Sequence, residues 1–187
     1  PINIEEKVLI RAEFHEPRPD LHEIIIQPKM SFGTGHHPTT HLMIQQMLNM
    51  DFTDKKVLDM GCGTSVLAIY AKQRGANEVT AIDIDEWSVE NSIENAERNS
   101  VQLNISQGTA ESLGAESYDI ILANINRNIL ISDIPTYVSV LKDKGQLLLS
   151  GLCFFDVEDI LQVCNEQGLK LTHQQQREEW CSLLLEK

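Results

Sequence analysis

The sequence predicts an α/β fold, with a mainly parallel sheet covered by helices on both faces. Three observations point there. From Lys56 onward, short β-rich runs alternate with segments whose apolar residues recur at helical spacing. The run "YDIILANI" is almost continuously apolar, as a strand buried on both faces must be. The last two runs, "LKLTHQQQ" and "EWCSLLLE", follow each other with no helix between, which predicts an antiparallel hairpin at one edge.

The elements follow in order. "KVLIRAEF" and "HEIIIQP", separated by the proline-containing "HEPRPD", read as an arm of two short strands. "SFGTGHHPTTHL" (31–42) is a polar, glycine-rich run, after which Met43, Met47 and Met50 mark the buried face of a helix capped by Thr39 or Thr40. "KVLDM" is the first sheet strand and ends at Gly61 and Gly63. A helix from Val66 to Arg74 is stopped by Gly75. "EVTAIDI" is the second strand. "DEWSVENSIENAERN" is a helix with Val89, Ile93 and Ala96 on one face, and Asp85 is its cap candidate. "QLNIS" and "YDIILANI" are the third and fourth strands. Leu130, Ile134, Val138 and Leu141 mark a helix that Pro135 should kink or delay. "GQLLLSG" is the fifth strand, and Val157, Ile160, Leu161 and Cys164 share a helical face that ends at Gly168. With the final hairpin the sheet has seven strands. The predicted division is an N-terminal arm or linker over 1–30 and a main domain over 31–187.

Composition narrows the function. The chain has 187 residues, 42% of them hydrophobic and 23% charged, as in ordinary globular proteins. The N-terminus lacks the basic and apolar segments of a secretory signal, and no apolar run approaches the ~20 residues of a membrane span. The formal net charge of -13, with no Lys/Arg cluster, disfavours direct nucleic-acid binding and suits a basic partner. The four cysteines are widely spaced with no Cys-x-x-Cys pair, so reduced thiols and a cytoplasmic setting are expected. His37 and His41 lie four apart, but Pro38 intervenes and no carboxylate or cysteine nearby completes a metal site; none is predicted. Pro1 is not an initiator methionine, so a fragment or processed chain is expected.

The chemistry-bearing motifs all fall at strand ends. In "VLDMGCGTS", Gly61 and Gly63 make the turn from strand to helix, where glycine lets the backbone approach a ligand. The third glycine of a pyrophosphate-binding fingerprint is missing. Asp83 closes the second strand, 22 residues after Gly61, the distance at which a carboxylate accepts from ribose hydroxyls. NAD and S-adenosylmethionine both carry such a ribose. Asn124 closes the fourth strand and aims at the same crevice. An amide oxygen there can orient an amine, whereas hydride transfer wants a donor or proton relay that this strand end lacks.

Taken together, "MSFGTGHHPTT", "VLDMGCGTSVLAIYAKQRGA", "AIDIDEWSVENSIENAERN" and "ILANINRNIL" resemble, in order and spacing, the bacterial ribosomal-protein-L-eleven methyltransferase (PrmA) family, from about Ile24 to the C-terminus. "FGTGHHPTT" is the most specific part. The resemblance implies a Rossmann-like class I methyltransferase fold with a seven-stranded, mainly parallel sheet and an antiparallel C-terminal edge strand. It implies S-adenosyl-L-methionine as cofactor and a basic ribosomal protein as substrate, N-methylated on lysines and its N-terminal amine. By the same resemblance Thr34 and Thr40 line the methionine end of the cofactor pocket. Gly61 and Gly63 contact its methionine and ribose portion, Asp83 holds the ribose hydroxyls, and Asn124 lies beside the methyl group. The 31–42 run becomes a flap that closes over the cofactor. No general base is identified.

Three departures stand out. By the resemblance, the full-length enzyme has an N-terminal substrate-recognition domain joined by a linker, and this sequence, carrying only the arm before Ile24, is expected to lack it. Ser65 stands where relatives often carry glycine, and Asn126 follows Asn124-Ile125 where leucine is commoner. The alternatives at this point are a small-molecule or RNA methyltransferase of the same fold, an NAD-dependent oxidoreductase, and a cofactor-binding domain that is inactive without its recognition domain.

Overall fold

The computed structural model describes residues 1–27, 29 and 32–187. Met30 and Ser31, with which the two quoted flap motifs begin, lie outside the described residues. The arm contains three strands, β1 (Ile2–Ile4), β2 (Val8–Arg11) and β3 (His22–Ile25), in a small sheet of its own. The sequence reading missed β1, which is only three residues long and too short to show an alternation. β1 and β2 pair antiparallel, and β2 and β3 pair parallel.

The main sheet has seven strands: β4 (Lys56–Met60), β5 (Glu78–Asp83), β6 (Asn104–Gln107), β7 (Tyr118–Asn124), β8 (Leu141–Cys153), β9 (Lys170–Arg177) and β10 (Trp180–Glu186). Their spatial order is β6-β5-β4-β7-β8-β10-β9. The first five pair parallel, and the β9–β10 hairpin is antiparallel, as expected. The final strand does not form the rim. It inserts between β8 and β9, so β9 is the edge. The burial pattern explains the choice: Cys181 to Leu185 are all buried, whereas β9 carries Thr172, His173 and Gln174 in solvent.

Successive residues on the central strands face opposite layers. Val57, Val79, Ile120, Leu122, Leu148 and Leu184 join one apolar cluster with α1 (Pro38–Met47), α2 (Val66–Gln73) and the arm. Leu58, Ile121, Leu147, Leu149, Leu183 and Leu185 join the other with α4 (Arg127–Ser139) and α5 (Val157–Glu166). Ile4, Val8, Ile10, Ile24 and Ile26 of the arm belong to the first cluster, so the arm shares the core of the main sheet.

Helix α3 (Glu86–Arg98) departs from the expected pattern. Ile93 is exposed, and the buried face is Ser88, Asn91, Ser92, Asn95 and Ala96. This polar face has backbone to satisfy. Asn99 accepts from the Ile25 N–H (2.8 Å) and donates to the Ile25 carbonyl (2.7 Å). Asn95 accepts from the Gln27 N–H (3.0 Å), and Asn91 donates to the Gln27 carbonyl (2.9 Å). The amides act as a surrogate strand that closes the end of β3, because a buried backbone group without a partner costs ~1–3 kcal/mol. Pro135 sits within α4 without dividing it.

Leu148 is fully buried between Leu122 and Leu184 in the ladder. Leu148→Ala is expected to destabilise the fold by ~2–5 kcal/mol, read from the midpoint of urea denaturation. A change below the error of that measurement would show that the sheet centre is not tightly packed.

Candidate functional site

The order β5-β4-β7 places a switch in winding direction at β4, and the carboxyl ends of these strands open a crevice there. Gly61 follows β4, Asp83 ends β5, and Asn124 ends β7. All three tips meet in one region. A cavity of about 360 Å³ is lined by Gly61, Asp83, Ile84, Glu111, Ile125 and Ile129, among others. A second of only about 10 Å³ lies between Gly61, Asp59, Thr40, Gly33, Phe32 and Asn124. A third of about 250 Å³ is bounded by Asn124, Asn126, Phe32, His37, Gly151 and Trp180. Gly61 is common to the first two, and Asn124 and Phe32 to the last two. The three cavities lie in a row past the strand tips, separated by the tight middle one.

Asp83 organises the turn. Its Oδ2 accepts from the Gly63 N–H (2.8 Å) and its Oδ1 from the Asp85 N–H (2.9 Å). Asp85 is the N-cap residue of α3, as expected, but its side chain makes no capping bond; Asp83 instead holds the Asp85 N–H itself, just ahead of the helix. A carboxylate has about four lone-pair sites, so capacity remains for hydroxyls in the first cavity.

Gly63 adopts φ +56°, and a Cβ there would drive into the Phe32 carbonyl oxygen. That carbonyl accepts from the Thr64 N–H (2.8 Å), and Thr64 Oγ1 donates to the Gly33 carbonyl (2.7 Å). The 32–35 segment is thus latched onto the Gly61–Ser65 turn. Ser65 also sits at φ +66°, costly for a residue with a Cβ. Its hydroxyl donates to Ser92 Oγ (2.7 Å), which donates in turn to the Gly63 carbonyl (2.8 Å). These hydrogen bonds fix the turn behind Gly61 and Gly63.

Thr40 is brought to the site, 1% exposed, on α1. It does not cap that helix, and neither does Thr39. The N-cap is His37, whose Nδ1 accepts from the Thr39 N–H (3.2 Å), and Pro38 takes the first helical position, where a missing N–H costs nothing. Thr34 is not brought to the site. It lines a separate cavity with Ile10, Phe14 and His36, and its hydroxyl lies 3.1 Å from His36 Nδ1. The glycines around it turn the flap so that residues 32 and 33, not 34, face the strand tips. His37 and His41 have different neighbours: His37 stands edge-on to Trp180, and His41 meets Arg177.

The sequence reading missed several residues here. Asp59 is 1% exposed, and its Oδ2 has no hydrogen-bond partner; Thr40 Oγ1 is unpartnered in the same way. Both line the smallest cavity. Burial pushes the Asp59 carboxyl up to about 8, the charge of Asp83 adds to this, and a hydrogen bond from the Ala68 backbone opposes it. The signal was present: a carboxylate within the apolar run "VLDM" is expensive unless something compensates for it. Phe32, His37 and Trp180 form an aromatic wall beside Asn124, with ring centroids 5.3 and 4.8 Å apart. Asn126 proves to be the N-cap of α4, its side chain accepting from the Ile129 N–H (3.1 Å). Gly151 (φ +92°) leaves room for the Ile125 carbonyl, so the loop after Asn124 lies flat against β8.

The profile of the family described as Ribosomal protein L11 methyltransferase (PrmA) matches residues 1–187, the whole chain. The chain belongs to this family. Relatives named ribosomal protein L11 methyltransferase include one from Bacteroides fragilis, 45% identical over 98% of this chain and 66% of its own length. Another, from Bacteroides thetaiotaomicron, is 46% identical over the same shares. The chain therefore spans just under two thirds of these PrmA relatives. A solved ribosomal protein L11 methylase from Lactobacillus delbrueckii subsp. bulgaricus superposes with a TM-score of 0.90 at 27% identity, covering 98% of this chain and 96% of that one. A 16S rRNA methyltransferase from T. thermophilus, solved with AdoMet and guanosine, shares the fold at a TM-score of 0.72 and 21% identity, over 84% of this chain and 45% of that one. The class I methyltransferase fold expected from the PrmA motifs is the fold observed.

A carboxyl whose folded pKa lies above its unfolded value holds a proton that the unfolded chain releases. The Asp59 contribution therefore falls as pH rises from the ordinary 3.8 towards about 8. Asp59→Asn should raise the melting temperature of the ligand-free protein at pH 8 relative to wild type, by an increment that shrinks as the pH is lowered towards 5. Parallel melting curves across that range would contradict a buried, strained carboxyl.

Proposed function

We propose that this chain is the cofactor-binding, catalytic part of an S-adenosylmethionine-dependent protein methyltransferase that N-methylates ribosomal protein L11, on lysine and N-terminal amines. Support comes from the row of cavities at the tips of β4, β5 and β7. It offers a roomy cavity with a carboxylate, a tight polar one, and an aromatic-walled one, in that order. The 1–30 arm and the 31–187 domain are read as a linker and a catalytic domain, packed on one core.

The residues fit the cofactor. Asp83 would accept from the ribose hydroxyls, while Gly61 and Gly63 present backbone with no side chain in the way. The unpartnered oxygens of Asp59 and Thr40 face the cavity where the amino-acid end would lie, and an ammonium group would satisfy both. About 10 Å³ holds a single water, not a methionine chain, so the latched 32–35 segment must open for loading. Thr34, turned away in the latched state, reaches the site only if that segment rearranges.

S-adenosylmethionine, when bound, supplies a methyl group on a positively charged sulfur. The chain's part is to present a neutral amine to it. The Asn124 side-chain oxygen accepts from the amine N–H and aims its lone pair. Phe32, His37 and Trp180 pack along the alkyl chain that carries the amine and exclude water. A lysine has a pKa near ~10.4 in water, and burial in this apolar slot lowers it.

Asp83→Ala is expected to weaken S-adenosylmethionine binding by ~1–3 kcal/mol in calorimetry; an unchanged isotherm would dismiss the ribose role. Asn124→Ala should leave that isotherm nearly intact and cut radiolabelled methyl transfer into L11 by ~10²-fold or more. Label entering ribosomal RNA or a small metabolite in place of L11 would replace the substrate assignment.

A further inference from the structure

Two exposed aromatic residues follow the strand that borders the aromatic-walled cavity beside Asn124, the acceptor cavity. Phe154 and Phe155 follow β8 directly, at 53% and 68% exposure. Their rings meet edge to face with centroids 5.4 Å apart. Isolated exposed apolar side chains are ordinary, but two contacting aromatic rings held in water by a fixed turn are costly without a partner. The turn is fixed from both sides. The Cys153 N–H donates to Asp156 (3.2 Å), the Phe154 N–H donates to the Glu179 carbonyl (2.9 Å), and Arg127 bridges Asp156 (3.1 Å) and Asp159 (2.6 Å). Cys153 pairs in the ladder with Trp180, which walls the acceptor cavity, so the rings begin one residue beyond that wall.

The unpaired charge around the pair is mainly negative; Arg177, next to Glu178, lies against His41. Arg127 is already engaged by two carboxylates. Glu158 on α5 and Glu178 and Glu179 in the β9–β10 turn are exposed, and among the described residues none has a cationic partner. We propose that Phe154, Phe155 and these three carboxylates form a docking surface for the basic substrate polypeptide. An apolar side chain of that polypeptide packs on the rings, and its lysines or arginines sit on Glu158, Glu178 and Glu179. The surface continues the wall of the acceptor cavity, so a segment bound there delivers a nearby amine to Asn124. Its charge is complementary to a basic chain and repels nucleic acid. The identity of the ligand rests on the methyltransferase reading above; the surface itself rests on the rings, the carboxylates and their place beside the cavity.

The test compares the wild-type protein with Phe154→Ser/Phe155→Ser and with Glu158→Gln/Glu178→Gln/Glu179→Gln. Labelled ribosomal protein L11 is titrated by fluorescence anisotropy, and methyl transfer is followed in parallel. The aromatic variant should raise both Kd and KM for L11 about 5- to 30-fold while kcat at saturation and S-adenosylhomocysteine affinity stay as in wild type. Phe154→Leu/Phe155→Leu should recover most of the loss. The glutamine variant, which leaves the turn intact, should flatten the salt dependence of kcat/KM. Unchanged Kd and KM in both variants, with wild-type transfer intact, would overturn the docking surface and leave the function standing. Wild-type binding without transfer would overturn the function, and the Kd comparison would still decide the surface. Wild type that fails to bind L11 overturns the surface. So does an aromatic variant whose only change is the loss of a self-associated species in sedimentation.

Discussion

The Asp83 carboxylate holds two backbone amides at once, and the site depends on that grip. One amide, of Gly63, belongs to the turn after β4; the other, of Asp85, opens α3. Two parallel strand tips and the start of a helix are thereby tied to one group whose remaining lone pairs face a cavity. The turn must come close enough to be reached, which requires glycine at 61 and 63. It must also be held from behind, which the Ser65–Ser92–Gly63 hydrogen-bond chain does. The flap then docks on the same turn through Thr64. Charge, backbone geometry and lid position are coupled within a few residues.

A second theme is stability given up at the site. Asp59 and Thr40 keep buried oxygens without partners, Ser65 holds a left-handed backbone conformation, and burial raises the Asp59 pKa. Each is unfavourable in isolation, and each borders the same small cavity or the turn beneath it. A ligand with a cationic end would partner the Asp59 and Thr40 oxygens and lower the Asp59 pKa, which is why those two costs support a cofactor site over a plain structural turn. The large apolar clusters on both faces of the sheet offset these costs.

The arm shows how a small sheet is made part of a larger fold. Its isoleucines share the core of the first layer, and its open strand end is closed by Asn91, Asn95 and Asn99 rather than by another strand. That arrangement also fixes where the chain leaves β3 toward the flap.

Sequence alone determined the layered α/β class, the seven main strands, the C-terminal hairpin, and the convergence of Gly61, Asp83 and Asn124. Those features follow from local periodicity and from glycine and carboxylate spacing, which are written along the chain. Tertiary structure decided what depends on contacts between distant segments. It showed that α3 buries amides and hydroxyls while Ile93 faces solvent, because the unpaired edge of the arm lies against it. It placed Thr40 in the pocket and Thr34 outside it, since the turn of the flap is set by its docking on Thr64. It gave the helix cap to His37 and brought Trp180 beside Asn124 by inserting β10 next to β8. No spacing in one dimension encodes such pairings; they appear only once the strands are ordered in space.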